Sequence, residues 1–229
     1  MRFLSLIFLA TLLNCQAKLE NSTSLKTDLT FIDLDENARG MLTTELTHLL
    51  THEYAELNNS SVTFTIGSIR GKEYFFNSLP TWKSLAGLNH YRLNVNPQIF
   101  DWKIPPAALR GIMAHELEHS LDYHQGFTIP DIMLIGLQTL SESGNMFYER
   151  KTDFKTVLRG YGAELIKFKQ WQYPLLEEAA LKKKKQEYLT PEEIHVLLSL
   201  KRNSPEKLTE ILADGVPLSL EELMDRIHR

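Results

Sequence analysis

The strongest constraint on the fold is a helical segment that begins after Pro105 and Pro106 and ends near Gly126. Within it, residues 114–124 read AHELEHSLDYH and carry three histidines and three carboxylates. The whole helical segment also holds apolar residues at the three- and four-residue spacing of one helix face, namely Leu109, Ile112, Met113, Leu117 and Leu121. We therefore expect a buried central helix that also presents titratable groups.

The other patterns predict an α+β fold. The spacing of apolar residues over 33–57 predicts a helix. The segments VTFTI (62–66), GKEYFF (71–76) and HYRLNVN (90–96) indicate strands. Beyond the central helix the patterns are helical, at 131–142, 145–172 and 174–187, with further helix starts at TPEE, SPEK and SLEE. We expect a small, mostly antiparallel sheet packed on the central helix, and a largely helical C-terminal half.

Residues 1–17 are predicted to be an export signal. The apolar run Phe3–Leu13 is too short to span a bilayer of about 30 Å but is typical of a signal peptide. Two processing routes are open: cleavage after Ala17, or lipidation of Cys15 in LLNC, which resembles a bacterial lipobox. Residues 18–30 are polar and are predicted to be a tether. The expected location is the periplasm, the cell envelope through a lipid anchor, or the medium.

The net charge and the number of cysteines limit which binding partners and which covalent cross-links we expect. The formal net charge of −4 gives no general affinity for nucleic acid, and we expect membrane contact only through a lipid on Cys15. Cys15 is the single cysteine, so the mature chain has no internal disulfide. The basic run Lys182–Lys185 is interpreted as a solvated helix face.

Residues 115–119 form an HExxH sequence. On a helix, His115 and His119 lie on one face about 5–6 Å apart, close enough for both imidazoles to bind one ion at about 2.1 Å. Glu116 projects near the same face, where its carboxylate can reach a water on the metal without displacing a ligand. The spacing therefore predicts a metal site with Glu116 as a catalytic base.

The segments HYRLNVN, AHELEH and YERKTD together resemble zinc metallopeptidases of the gluzincin group, over roughly residues 90–170. The metzincin pattern does not fit, because Asp122 and Gln125 stand where it requires glycine and histidine. A catalytic zinc normally has three protein ligands and one open position. The resemblance supplies the third ligand from the YERKTD segment.

That ligand set consists of His115, His119 and Glu149 around Zn²⁺. Asp153, one helical turn beyond Glu149, would hydrogen-bond the far nitrogen of a ligating histidine. Glu142 is a rival third ligand, although no acid lies one turn after it.

The resemblance also implies a place for the substrate. The strand with Leu93, Asn94 and Val95 would be an edge strand that pairs with an extended peptide. The expected domain is 31–185, followed by a helical extension at 186–229. Four residues are candidates to stabilise the oxyanion, and the sequence does not choose among them: Tyr148, Tyr161, His90 and Arg159.

The expected function is an exported zinc metallopeptidase that hydrolyses peptides or proteins through a metal-activated water. One alternative is a catalytically inactive, zinc-binding lipoprotein or interaction module with a peptidase-like fold. Another is a metal-dependent hydrolase of a non-peptide bond. Glu116 favours an enzyme over the inactive module, because a structural zinc usually has four protein ligands and needs no such carboxylate.

Overall fold

The computed structural model describes residues 24–70, 75–125 and 141–229. The predicted export signal and residues 131–140 of the predicted helix 131–142 lie outside these ranges. Within them, no helix has both the length and the apolar character needed to cross a membrane.

The described residues form an α+β structure with one sheet and helices over the C-terminal half. In chain order the elements are β1 (Asp28–Ile32), α1 (Glu36–His52), β2 (Val62–Ser68), β3 (Phe76–Pro80), α2 (Trp82–Leu85), β4 (Asn89–Val95), α3 (Gln98–Asp101), α4 (Pro106–His124), α5 (Glu142–Thr156), a π-helical turn (Val157–Tyr161), α6 (Gly162–Gln172), a 3-10 turn (Tyr173–Leu175), α7 (Glu178–Glu187), α8 (Pro191–Asn203), α9 (Pro205–Ala213) and α10 (Leu220–His228).

Several predicted boundaries differ from this structure. Of the strand predicted over 71–76, only Phe76 lies in β3, and residues 71–74 lie outside the described ranges. Strand β1 begins at Asp28, so residues 28–30 of the predicted tether belong to the sheet. The single helix predicted over 145–172 is divided into α5, the π-helical turn and α6. The division occurs because Gly160 has φ of 113°, a left-handed conformation that cannot continue a right-handed helix.

The sheet has the strand order β1-β2-β4-β3 and is mixed. The pairs β1–β2 and β2–β4 are parallel, and only β3–β4 is antiparallel among the described strands, so the expected mostly antiparallel sheet is wrong. Parallel neighbours require a crossover connection, and α1 supplies one between β1 and β2. Alternation within a strand carries no information about the direction of its neighbour.

Strand β4 lies inside the sheet, which corrects the predicted substrate edge. Leu93, Asn94 and Val95 pair with β2 on one side and with β3 on the other. Their main-chain groups are therefore engaged by neighbouring strands and cannot pair with an added peptide. Among the described residues, the strand at this end of the sheet is β3.

Helix α4 is the central helix of the structure. It begins with Pro106 in its first turn, as predicted, and it contacts α1, α5, α6 and β3. Every residue from Gly111 to Leu121 is buried, including His115, Glu116, Glu118 and His119. Charged and polar side chains are rarely buried without partners, so the contacts of these four residues determine the chemistry of the site.

Gly111 allows the close approach of α4 and α6. A Cβ atom at this position would lie 2.4 Å from the main-chain carbonyl carbon and oxygen of Glu164. Gly40, on the exposed face of α1, would place a Cβ with nothing within 4 Å.

Gly111→Ala should lower the free energy of unfolding by about 1–3 kcal/mol, because the methyl group overpacks two helix backbones that cannot yield like a flexible side chain. Gly40→Ala should instead raise it by about 0.5–1 kcal/mol through helix propensity. Urea unfolding of both variants measures the difference, and equal effects would contradict the close packing of α4 on α6.

Candidate metal centre

Helices α4 and α5 bring the three predicted ligands to one point. The Nε2 atoms of His115 and His119 are 3.1 Å apart. Glu149 Oε2 lies 3.1 Å from the first of these nitrogens and 3.4 Å from the second. The histidines come from adjacent turns of α4, and the carboxylate comes from the second turn of α5. These three residues form a group that could hold a metal ion.

The separations fit a tetrahedral ion with nitrogen and oxygen ligands. With bonds of about 2.0–2.1 Å, neighbouring ligand atoms of a tetrahedron are about 3.3–3.4 Å apart. His115 Nδ1 lies 2.8 Å from Asp153 Oδ1 and donates its proton there, which leaves a lone pair on Nε2 of the neutral ring. Lone pairs from two rings and a carboxylate then converge, and a shared cation removes their mutual repulsion.

The charges around the site favour a cation. Burial opposes a charge on His115, but hydrogen bonds with Asp153 and Glu149 outweigh burial and raise the pKa of His115 to about 10. Burial disfavours the charged form of Glu149, but the charge on His119 and hydrogen bonds with both rings hold the pKa of Glu149 well below its usual range. The cluster therefore attracts positive charge, which a metal ion can provide in place of a proton.

Asp153 fixes the orientation of the His115 ring through its hydrogen bond with Nδ1, the ring nitrogen that does not face the ligand group. Its side chain is fully buried, and Oδ2 accepts hydrogen bonds from Lys169 Nζ at 2.9 Å and from the Leu189 main-chain N–H at 2.9 Å. Burial alone would raise the pKa of Asp153, but the Lys169 charge and the hydrogen bond from His115 lower it. The carboxylate is thus held ionised, as a partner that fixes the tautomer of a ligating histidine must be.

Glu116 is buried beside the ligands. Its Oε2 atom has no hydrogen-bond partner among the described residues, and burial raises the pKa of the carboxyl group. A buried carboxylate oxygen without a hydrogen-bond partner costs free energy unless a ligand or water engages it, and a raised pKa suits a proton-transfer group. The other buried glutamate of the motif, Glu118, differs from Glu116 because it forms an ion pair: its Oε1 atom lies 2.5 Å from Arg159 Nε.

The rival third ligand does not join this cluster. Glu142 is the first residue of α5 and is exposed, nearly two helical turns before Glu149. The group of converging ligand atoms contains Glu149 and not Glu142.

The four oxyanion candidates are dispersed. The Tyr148 ring lies 5.0 Å from the His119 ring. Arg159 is engaged by Glu118, and His90 lies in the sheet between Thr65 and Thr81. The Tyr161 ring stacks on the Tyr54 ring, with the ring centres 6.3 Å apart. Tyr148 is therefore the candidate that contacts a predicted ligand.

The C-terminal segment holds α5 in place. Arg150, adjacent to Glu149, is fully buried; its Nε donates to Pro217 O at 2.8 Å and its Nη1 donates to Tyr188 O at 3.0 Å. Its guanidinium also pairs with Glu193. Residues 186–229, predicted to be a separate extension, thus pack directly on the helix that bears the third ligand.

A small cavity of about 50 Å³ adjoins the site and introduces residues that sequence reasoning missed. His115, Glu116 and Asp153 line it, together with Lys169, Tyr173, Lys184 and Tyr188 among others. Of the basic run, Lys182, Lys183 and Lys185 are exposed, but Lys184 faces the cavity, so the solvated-face interpretation is wrong for that residue. The sequence feature that could have predicted an inward-facing Lys184 is Tyr188, an aromatic residue that follows it by four positions, about one helical turn.

Comparison of the chain with models of protein families, with curated proteins and with solved structures finds no match.

Proposed function

We propose that the protein is an exported zinc-dependent peptidase, with His115, His119 and Glu149 holding the ion. The proposal rests on one observation above all: two imidazole nitrogens and a carboxylate oxygen converge within 3.4 Å of one another. Glu116 lies next to His115 on the same helix, and its Oε2 atom has no hydrogen-bond partner among the described residues. Bound zinc supplies Lewis acidity, which acidifies water and polarises a carbonyl group. Export is proposed from the predicted export signal at residues 1–17.

Residues around the proposed zinc site have separate roles in the reaction. Glu116 takes a proton from water at its carboxylate and passes it to the departing amine. Asp153 keeps the proton of His115 on Nδ1, so that Nε2 remains a ligand. Lys169 and the Leu189 N–H keep Asp153 ionised in a dry environment. The arrangement favours an enzyme over a structural zinc site, which has no use for Glu116.

The strand that fits an extended substrate is β3 rather than β4. Asn96 N donates to Phe75 O at 2.9 Å, which sets the phase of the β3–β4 ladder. In an antiparallel ladder hydrogen-bonding residues alternate, so Phe76 and Ser78 direct their main-chain groups to the opposite edge. Ser78 Oγ is 2.9 Å from Ser120 Oγ, next to His119, so this edge runs beside the HExxH helix. We propose that a peptide pairs there.

The test is metal analysis of the purified mature protein together with cleavage of a mixed peptide library. We expect about one zinc per chain, cleavage that a chelator abolishes, and recovery on adding zinc. Bound zinc without cleavage would favour the zinc-binding module instead. Cleavage that persists after complete removal of metal would overturn the proposal.

A further inference from the structure

The connection between β3 and β4 exposes apolar side chains at one end of the sheet. It comprises residues 81–88, and its short helix α2 begins with Trp82, which is 73% exposed. Leu88, immediately before β4, is 58% exposed, and Leu79, near the end of β3, is 47% exposed. We call these three residues the Trp82 patch. Large apolar side chains grouped on a surface mark a site of interaction.

Hydrogen bonds hold the Trp82 patch in a defined conformation. The main-chain N–H of Leu88 donates to Lys83 O at 3.0 Å, and Thr81 Oγ1 donates to His90 O at 3.0 Å. Gly87 has φ of 83°, a left-handed conformation that turns the chain from α2 into β4. These contacts fix the connection against β4, so its apolar side chains stay on the surface instead of packing into the core.

The first strand of the sheet begins at the same end. The register aligns Asp28, the first residue of β1, with Thr63 of β2, and it aligns Thr63 with His90 of β4. Pro80, the last residue of β3, pairs with Tyr91. The start of β1 and the β3–β4 connection therefore lie at one end of the sheet, three strand spacings or about 15 Å apart.

The residues that precede β1 are fastened at this end as well. Asn58, in the loop before β2, donates through Nδ2 to Ser24 O at 3.1 Å. In the same loop, Ser61 Oγ accepts from Asn89 Nδ2 at 3.5 Å, and Asn89 is the first residue of β4. The described part of the chain thus begins at Ser24, beside a loop that contacts the immediate neighbour of Leu88.

The predicted lipid site lies a short distance upstream. Cys15 precedes Ser24 by nine positions, and nine residues span at most about 32 Å when fully extended. A lipid on Cys15 would therefore keep this end of the sheet close to the bilayer that holds the lipid. The opposite end, where β4 finishes at Val95, would face away.

We propose that the Trp82 patch lies in the interfacial layer of a lipid bilayer and orients the protein on it. Tryptophan suits this layer because its ring is apolar and its N–H is polar, and the two leucines add apolar area that the acyl boundary can bury. The patch adds a protein surface to the lipid contact expected from the sequence. The inference does not depend on the proposed peptidase activity.

The charges at this end suit a zwitterionic surface. Lys26, Lys83 and Asp28 are exposed there, so both signs of charge can meet headgroups that carry phosphate and ammonium together. The formal net charge of −4 gives the chain no general attraction to anionic lipids. Phosphatidylcholine vesicles are therefore the appropriate probe.

The single cysteine allows a direct test. Residues 15–229 would be coupled through the Cys15 thiol to phosphatidylcholine vesicles that contain a maleimide lipid. In Trp102→Phe/Trp171→Phe protein, Trp82 is the one remaining tryptophan. Trp82→Phe/Trp171→Phe protein is the matched control, because it retains Trp102, which is 40% exposed and lies after the opposite end of β4.

Quenching by lipids brominated near the top of the acyl chain measures insertion. An interfacial apolar face lies about 5–10 Å into the boundary of headgroups and acyl chains, so we expect at least about 2-fold quenching of Trp82 and almost none of Trp102. Leu79→Ser/Leu88→Ser in the Trp82 protein should remove most of that quenching. Leu218→Ser/Leu220→Ser, which changes two exposed leucines of the C-terminal half, should not. The unfolding midpoint verifies that each variant is folded.

Three results would overturn the inference. Equal quenching of Trp82 and Trp102, or quenching of neither, would show that the coupled protein has no preferred orientation on the bilayer. Quenching of Trp82 that persists in Leu79→Ser/Leu88→Ser protein would show that tethering alone brings it to the lipid. Shielding of Trp82 from acrylamide in uncoupled protein, increasing with protein concentration, would identify a second copy of the chain as the occupant of the patch.

Discussion

Glu116→Gln should leave zinc bound and reduce kcat by about 10²–10⁴-fold. The glutamine side chain has nearly the same size and is not one of the converging ligands, so the metal site should persist. It lacks the basic oxygen that accepts a proton from water. Zinc content by atomic absorption and peptide hydrolysis by chromatography are the two measurements.

Glu118→Gln is the matched control, since it changes the second buried carboxylate of the same motif. Glu118 bonds Arg159 rather than facing the cavity, so this variant should be less stable but retain kcat per folded molecule. Glu116→Gln protein that keeps most of its activity would remove Glu116 from the mechanism.

Glu149→Ala should weaken zinc binding by more than about 100-fold, beyond the 10- to 100-fold typical of losing an outer partner of a ligand. The reason is that Glu149 Oε2 completes the converging group, and without it two histidines remain. Competition with a chromophoric chelator measures the change in affinity.

Glu142→Ala provides the comparison on the same helix. This residue is exposed and outside the ligand group, so its removal should change zinc affinity by less than about 2-fold, as expected of a surface substitution. A larger loss in Glu142→Ala than in Glu149→Ala would identify Glu142 as the third ligand.

Short-range geometry explains which parts of the site were predictable. The positions of His115, Glu116 and His119 on one helix follow from helical periodicity alone, and so does the placement of Asp153 one turn after Glu149. The structure brings Glu149 to both histidines, as the resemblance implied. The contact of Asp153 with the far nitrogen of His115 was likewise an expectation and is present.

Contacts between distant segments were not predictable in the same way. Leu189 donates to Asp153 through its main-chain N–H, which every residue except proline has, so the residue type does not reveal the contact. Lys169 also donates to Asp153, but in the sequence it is one of several lysines in helical segments. Lys184 lies in a run of four lysines of which three are exposed, so composition concealed the inward one. The role of Arg150 in joining α5 to Pro217 was equally invisible.

The sequence by itself determined the helical character of the central segment, the α+β class and a candidate ligand set, because each depends on residue type and on spacing within a few turns. Tertiary structure alone decided that β4 lies inside the sheet, that β3 offers the edge beside the HExxH helix, and that Lys184 faces the cavity. Strand order and the direction of a side chain on a packed helix depend on which distant surfaces bury each other, and local pattern does not encode that choice.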